Sequence, residues 1–350
     1  MSLLGEIMRL RRQAELFGFS DYFRFRLYEE PPFGGRKEDF AGWRMVQWLD
    51  KRLNGTMWRG IFEDKIVFHA VCALQGLPVP RVLAVYHPGG RRLQFAPAIR
   101  DPASMIEFLR SGMHYPFFAK PVHGISGGGA AAVAGLDAAT KELLLEDGRR
   151  IAVQAFVDRL AKPSVGVTPA LGWLFQERLR QHTDVANLCG PTIATLRFVV
   201  LLGDDGPTVF RAVWRIPTAP NMTDNFGDRG RTGNLAAGLD EATGKILRVI
   251  RRVDAEQTLH TEHPDTGARL IGMRLPLYHE ARELVLTASA LFPMFRFQHW
   301  DVALTQSGPV LVECNSPGGI ELPQAATGRG IYDKTLRAFV RKHGRAPSRE

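Results

Sequence analysis

Two apolar runs separated by a four-residue turn constrain this chain more than any other stretch. His299-Trp300-Asp301-Val302-Ala303-Leu304 and Val310-Leu311-Val312-Glu313-Cys314-Asn315 flank Gln306-Ser307-Gly308-Pro309, the pattern of two strands joined by a tight turn. Strand residues two apart share a face. Glu313 and Asn315 therefore project together while Cys314 points away, and a hairpin brings Asp301 across from them. Acids among apolar neighbours are costly unless something compensates them. Two carboxylates and an amide oxygen form an oxygen-only set suited to Mg²⁺ bridged to nucleotide phosphates. The plain alternative is a group of solvated acids at strand ends.

Three further constellations point to the same chemistry. Phe118-Ala119-Lys120-Pro121 runs into His123-Gly124-Ile125-Ser126-Gly127-Gly128-Gly129. A lysine ending a strand can neutralise phosphate oxygens, and loop N–H groups free of bulky side chains can approach them closely. The spacing fits neither the P-loop nor the dinucleotide fingerprint, and on its own such a stretch reads as a simple turn. Leu174-Phe175-Gln176-Glu177-Arg178-Leu179 has the form of an interdomain linker whose backbone can read an adenine edge, with Asp184 seven residues after Glu177 for ribose hydroxyls. Arg197 lies in Thr195-Leu196-Arg197-Phe198, and Arg211 and Arg215 share a face of Phe210–Ile216. Guanidinium groups among apolar neighbours suit a phosphoryl group in flight; the alternative is a surface ion-pair stripe. Asn225 precedes the Gly230 and Gly233 region, read as a loop over the site.

Bulk properties narrow the field. A chain of 350 residues can bury a large core and form two or three subdomains. No run of 18 apolar residues is present, so no spanning helix is expected. The first ten residues lack the pattern of a secretory signal. Three widely spaced cysteines, Cys72, Cys189 and Cys314, give neither a disulfide framework nor a zinc pattern, so a reducing cytoplasm is expected. The net charge of +9 is dispersed apart from a basic cluster from Lys334 to Arg349. That cluster reads as a solvated helix face, and nucleic acid is not the expected partner.

Along the chain, residues 1–63 are read as a helical N-terminal subdomain interrupted at Pro31-Pro32-Phe33-Gly34-Gly35. A helix is predicted over Asp64–Gln75, closed by Gly76 and Pro78. Short strands are predicted at Arg81–Tyr86, Phe117–Pro121 and Ala130–Ala134, with Arg150–Phe156 and Trp173–Glu177 completing a small α+β unit over 64–175. Residues 176–350 are read as a larger sheet subdomain. Its predicted strands are Thr195–Leu202, Thr208–Ile216, Gln298–Thr305 and Val310–Cys314, with a helix at Leu277–Leu291 and another at the C-terminus.

Taken in order from Asp64 to Gly330, these pieces resemble the ATP-grasp superfamily. They are most similar to its sugar-transfer associated branch and to ligases of the glutamate-ligase and D-alanine–D-alanine ligase type. The resemblance implies an α+β fold in which two subdomains grip ATP. Lys65, ahead of Gly76-Leu77-Pro78-Val79-Pro80, matches the first ATP-grasp lysine and Lys120 the second, with Ser126, Gly127 and Gly128 in the phosphate-covering loop. Gln176, Glu177 and Leu179 match the adenine hinge and Asp184 the ribose carboxylate. Arg215 matches the basic residue at the terminal phosphates. Asp301, Glu313 and Asn315 match the ligands of Mg²⁺, two ions being expected and Mn²⁺ a substitute. The arginine near the reacting carboxylate corresponds to Arg296 or Arg197, with Asn225 nearby. The implied reaction activates a carboxylate as an acyl phosphate for attack by an amine, in a sugar-derivative or polysaccharide context. A kinase acting on a sugar or polyol hydroxyl would carry the same motifs. A non-catalytic protein binding an anionic partner or nucleic acid would not need the carboxylates. The helical N-terminal stretch departs from the α/β domain that many such ligases use for their substrate.

Overall fold

Strand alternation decides which side of each sheet becomes core and which becomes site. The computed structural model describes residues 2–13, 17–91, 93–111, 114–124, 129–162, 168–226, 232–253 and 256–345. Within them it is an α+β protein with two seven-stranded sheets. The first sheet contains β1 (Val82–Tyr86), β2 (Ala98–Ile99), β3 (Phe117–Pro121), β4 (Ala131–Asp137), β5 (Glu142–Leu145), β6 (Arg150–Ala152) and β7 (Trp173–Glu177), ordered β2-β1-β7-β3-β4-β5-β6. The second contains β8 (Thr195–Gly203), β9 (Gly206–Ile216), β10 (Leu235–Leu239), β11 (Ile246–Val253), β12 (Glu256–Leu259), β13 (Phe297–Thr305) and β14 (Gly308–Asn315). Its order is β12-β11-β10-β9-β8-β13-β14, antiparallel throughout.

On one face of the second sheet, Leu196, Phe198, Trp214, Ile216, Trp300, Val302 and Leu304 form the main core. The helix Tyr278–Ala290 closes this core with Tyr278, Ala281, Val285 and Ala288. Each large side chain buried there contributes roughly 1.5–3 kcal/mol. The intervening residues, Arg197, Arg215 and Asp301, necessarily face the other way. On that opposite face the short helix Glu321–Thr327 covers only β9–β11, packing Ala325 and Ala326 on Val213, Ala236 and Ile250. Gly238 allows this approach, because a Cβ there would sit 2.7 Å from the Ala326 carbonyl oxygen. What this helix and the helices Arg44–Leu53 and Lys334–His343, packed on Val199, Leu201 and Phe297, leave uncovered becomes a cleft.

The N-terminal residues are helical, at Leu3–Gln13, Phe19–Arg24 and Arg44–Leu53. Ile7, Leu10, Phe17, Tyr22, Leu27 and Phe40 form a small core of their own. The helix Arg44–Leu53 packs instead with Val199, Leu201, Phe297 and the C-terminal helix Lys334–His343, and Phe62 enters the main core. The helix Lys65–Leu74 starts where predicted: Asp64 caps it, its carboxylate accepting from the Ile66 and Val67 N–H groups at 2.9 and 3.1 Å.

Several elements differ from expectation. The run Arg150–Phe156 is strand only to Ala152, after which Val153–Leu160 is a helix. Its buried positions, Val153, Phe156, Val157 and Leu160, carry the helical period that a short strand reading overlooks. Strands β2, β5 and β10 to β12 have no counterpart among the predicted strands. Leu235-Ala236-Ala237-Gly238-Leu239 is buried on both faces, so it shows no polar alternation and none of the bulky β-formers.

Candidate functional site

A cavity of about 1190 Å³ lies between the two sheets, larger than a single small ligand usually needs (~300–1,000 Å³). Its walls include Lys65, Phe118, Lys120, Gln176, Glu177, Arg178 and Leu179 toward the first sheet. Thr195, Arg197, Arg215, Asp224, Asn225, Glu313 and Asn315 line it from the second.

The lysines are held by different elements. Lys120 is the penultimate residue of β3 and is 8% exposed. Burial pushes its ammonium down to about 8, the positive charge of Lys65 adds to this, and Glu313 opposes it. Lys65 begins its helix and donates from Nζ to the Gly124 carbonyl at 3.1 Å. Burial lowers it too, with Glu313 and Asp64 pulling the other way. Two desolvated cations facing the same space define a site short of anionic charge. Gln176 of β7 is 2% exposed and bonds the ring of His69 at 2.8 Å. That histidine is held well below its ordinary value by burial and by Lys120 and Lys65, so it is neutral. Glu177 accepts from the Arg81 N–H at 2.8 Å, and Arg178 grips Glu146 through two 2.6 Å bonds. These contacts fix the strand-to-linker exit beside the cavity.

On the second sheet the register explains the electrostatics. Asp301 of β13 lies directly opposite Glu313 of β14 on one side and Arg197 of β8 on the other. Arg197 meets Asp301 with a fork of two 2.6 Å bonds, and Arg215 adds a third at 2.9 Å. Burial alone would raise the Asp301 carboxyl; the guanidiniums of Arg197 and Arg215 more than offset it, holding it below the ordinary value. Asp301 is fully buried, whereas Glu313 retains 31% exposure and borders the cavity. Asn315 donates to Glu313 Oε1 at 3.2 Å. Arg215 also binds the Thr195 hydroxyl at 2.6 Å, and Asp224 accepts from the Thr195 N–H at 2.7 Å.

The oxygen chemistry of Glu313 and Asn315 fits a hard divalent cation at the cavity wall. Asp301 fits only on exchanging a guanidinium partner for the ion. Among the described residues no cluster of three or more His, Cys, Asp or Glu is arranged to hold a metal, because Asp301 and Glu313 are the only carboxylates of that set.

The structure does not bring every predicted residue here. Arg296 is outside the cavity, bonded to the Leu202 carbonyl at 3.1 Å and to Asp204 at 3.1 Å. Asp184 is also absent from the cavity lining; it stands 70% exposed at the start of the helix Thr183–Cys189. Arg211, the same-face companion of Arg215, pairs with Asp333 at 2.8 Å and stays away from the cavity. Ser126, Gly127 and Gly128 lie outside the described residues. Conversely, sequence reasoning missed Thr195, Asp224 and Arg252, and missed Phe23, Arg24 and Tyr28 from the N-terminal region. Only Asp224, next to Asn225, stood beside a residue already singled out.

The loop following β14 is shaped by contact. A Cβ on Gly318 would fall 2.0 Å from the His299 ring, so Gly318 is what lets the loop close on β13. His299 is fully buried with neither ring nitrogen hydrogen-bonded, and burial beside Arg197 pushes it down to about 3. It stays neutral and adds no charge beneath Asn315, its register partner.

Fold and cleft together define a two-sheet α+β protein whose cavity is lined from both sheets. The sequence matches the sugar-transfer associated ATP-grasp family over residues 44–339, and the chain belongs to that family. No curated protein matches it. Among solved structures it is similar to the ATP-grasp ligase PsnB complexed with minimal precursor (16% identity, TM-score 0.39, covering 80% of this chain and 60% of that one). It is also similar to the VanG D-Ala:D-Ser ligase from Enterococcus faecalis (14%, TM-score 0.40, 79% and 61%). A third is D-alanyl-alanine synthetase A from Vibrio cholerae O1 biovar eltor (11%, TM-score 0.43, 81% and 65%). The chain thus spans less than two thirds of each of these proteins. No helix among the described residues is long and apolar enough to cross a membrane.

Proposed function

We propose that this protein is an ATP- and Mg²⁺-dependent ligase that activates a small-molecule carboxylate as an acyl phosphate and joins it to an amine. What carries this reading is the joint placement of a buried lysine, Lys120, a half-buried one, Lys65, and an arginine–carboxylate network on facing walls of one cavity. Lys65 and Lys120 would neutralise the polyphosphate, and the Gln176–Leu179 exit from β7 would frame the base. Glu313 and Asn315 would hold Mg²⁺, which supplies charge neutralisation at the transferred phosphoryl group. Arg197 and Arg215, now committed to Asp301, would share that carboxylate with the incoming charge. The acceptor carboxylate oxygen bonds to the γ-phosphorus as the bond to ADP breaks. The amine nitrogen then bonds to the acyl carbon, phosphate leaves, and the amine surrenders a proton. Alignment and preorganised charge do most of this work.

Phosphorus NMR of the protein with Mg-ATP and pooled acids, amines and sugars tests the proposal. Free phosphate appearing one-for-one with ADP, only when an acid and an amine are both present, is the expected result. A new phosphoester without free phosphate would instead mean a kinase on the same site. Glu313→Gln serves as the blank and is expected to lower turnover about 100-fold or more while leaving the melting temperature near wild type.

A further inference from the structure

The cleft does not end at the nucleotide machinery. Its lining also includes Phe23, Arg24 and Tyr28 of the N-terminal region and Phe226, Arg252 and Glu321 near the far edge of the second sheet, with Arg24 and Arg252 both reaching Glu321. Phe23 is 45% exposed and Tyr28 49%, although both pack edgewise or tilted on the buried Tyr22 ring, at 5.5 and 6.4 Å. Large rings anchored from beneath and open above give flat apolar faces at little entropic cost.

Beside them is a charged group of a particular kind. Glu321 accepts from Arg24 at 3.1 Å and also pairs with Arg252. Arg252 is 9% exposed, donates to Gln257 Oε1 at 3.2 Å and to the Arg24 carbonyl at 3.4 Å, and lies over the Phe226 ring at 5.8 Å. Two guanidiniums tied to one carboxylate offer fixed N–H donors and an acceptor side by side. An ion pair of this sort at a cavity wall reads groups that both donate and accept. Hydroxyls do so, while a second carboxylate would be repelled by Glu321 and a bare hydrocarbon would leave the group desolvated without a partner.

We infer that this end of the cleft is the acceptor subsite and that it takes a hydroxylated ring acid, a pyranose uronic acid in its simplest form. The C–H face of the ring lies on Phe23 and Tyr28, its hydroxyls meet Arg24, Arg252 and Glu321, and its carboxylate points inward to the phosphoryl site. The inference rests on the ligase reading, and it gives the helical N-terminal region a substrate-binding task.

Calorimetric titration tests it with Mg-AMPPNP first and then, on the nucleotide-saturated protein, with glucuronate, galacturonate and mannuronate. Cyclohexanecarboxylate, a ring without hydroxyls, and gluconate, hydroxyls without a ring, are the comparison probes. At least one uronate is expected to bind about tenfold or more tightly than either comparison acid. Phe23→Ala and Arg24→Ala, both at half-exposed positions, are each expected to weaken that uronate about tenfold while AMPPNP binds as to wild type. Uronate binding unchanged in both variants would overturn the placement of the subsite and leave the ligase reading standing. Cyclohexanecarboxylate or gluconate binding as well as the best uronate, or no uronate binding at all, would overturn the substrate class. Failure of wild-type protein to bind AMPPNP would remove the ligase reading and this inference with it.

Discussion

Lys120 is a cation kept from water with another lysine for company, and that arrangement makes nucleotide binding depend on pH. In the free protein its ammonium titrates at about 8; a bound polyphosphate restores favourable charge and raises it. Affinity is therefore full below pH 8 and falls as pH climbs through that value, because binding must then take up a proton, by up to tenfold per pH unit. Titrating Mg-AMPPNP at pH 7, 8 and 9 checks the sign, and Lys120→Met should bind weakly with no such step. Asp301 poses the opposite problem, an anion that two guanidiniums require. Asp301→Asn leaves Arg197 and Arg215 buried beside a neutral amide and should cost about 3–5 kcal/mol in urea unfolding. Its carboxyl is depressed in the folded protein, so the stability it contributes is present above the ordinary Asp value and lost as pH falls through the folded one. The variant should consequently lose part of the wild type's acid sensitivity. Both residues could be read from sequence, Lys120 by its strand-end position and Asp301 by its apolar run. The guanidinium fork on Asp301 could not, since it depends on β8 lying next to β13 across about 100 residues of chain.

At the scale of elements, the hairpin β13–β14 was legible because its turn is short and its faces alternate, whereas its support was not. That support comes from the helix Arg44–Leu53 and the residue that ends it. Asn54 donates to Asp50 at 2.8 Å, to the Phe297 carbonyl at 2.9 Å and to the Ser316 hydroxyl at 3.0 Å, and accepts from the Phe297 N–H at 3.0 Å. It is 1% exposed and ties the start of β13 to the residue immediately after Asn315. Asn54→Ala strands several buried polar groups, for an expected loss of about 2–4 kcal/mol in chemical denaturation, built from about 1–3 per orphaned group. The Glu313–Asn315 end of β14 should loosen with it; if those residues hold Mg²⁺ as proposed, AMPPNP affinity will depend less on Mg²⁺. If the variant proves destabilised with unchanged Mg²⁺ dependence, Asn54 supports the fold but does not set Asn315. No local pattern reveals such a residue: an Asn after a helix reads only as a C-terminal stop.

For the whole molecule, the net charge of +9 is not evenly spent. Around the cavity Arg24, Lys65, Lys120, Arg178, Arg197, Arg215 and Arg252 outnumber Glu177, Asp224, Glu313 and Glu321. The sequence showed dispersed charge, and nothing in its order says that residues as far apart as Arg24, Lys120 and Arg252 share one cleft. The α+β class with two sheets was nonetheless foreseeable from the succession of a lysine-bearing strand segment, a linker and a carboxylate-bearing strand segment. A concave, low-dielectric site with surplus positive charge concentrates anions at its mouth, and salt screens that attraction over roughly a Debye length, ~8 Å near physiological ionic strength. Association of Mg-AMPPNP measured by stopped flow should therefore slow about tenfold between roughly 20 mM and 500 mM salt. Dissociation, governed by contacts screened from solvent, should change much less. Arg178 and Arg252, already paired with Glu146 and Glu321, contribute little to the field, so charge reversal at Lys65 should flatten the salt dependence more than reversal at Arg178. A salt-insensitive association rate would show that the cavity's own carboxylates consume the surplus before any nucleotide arrives.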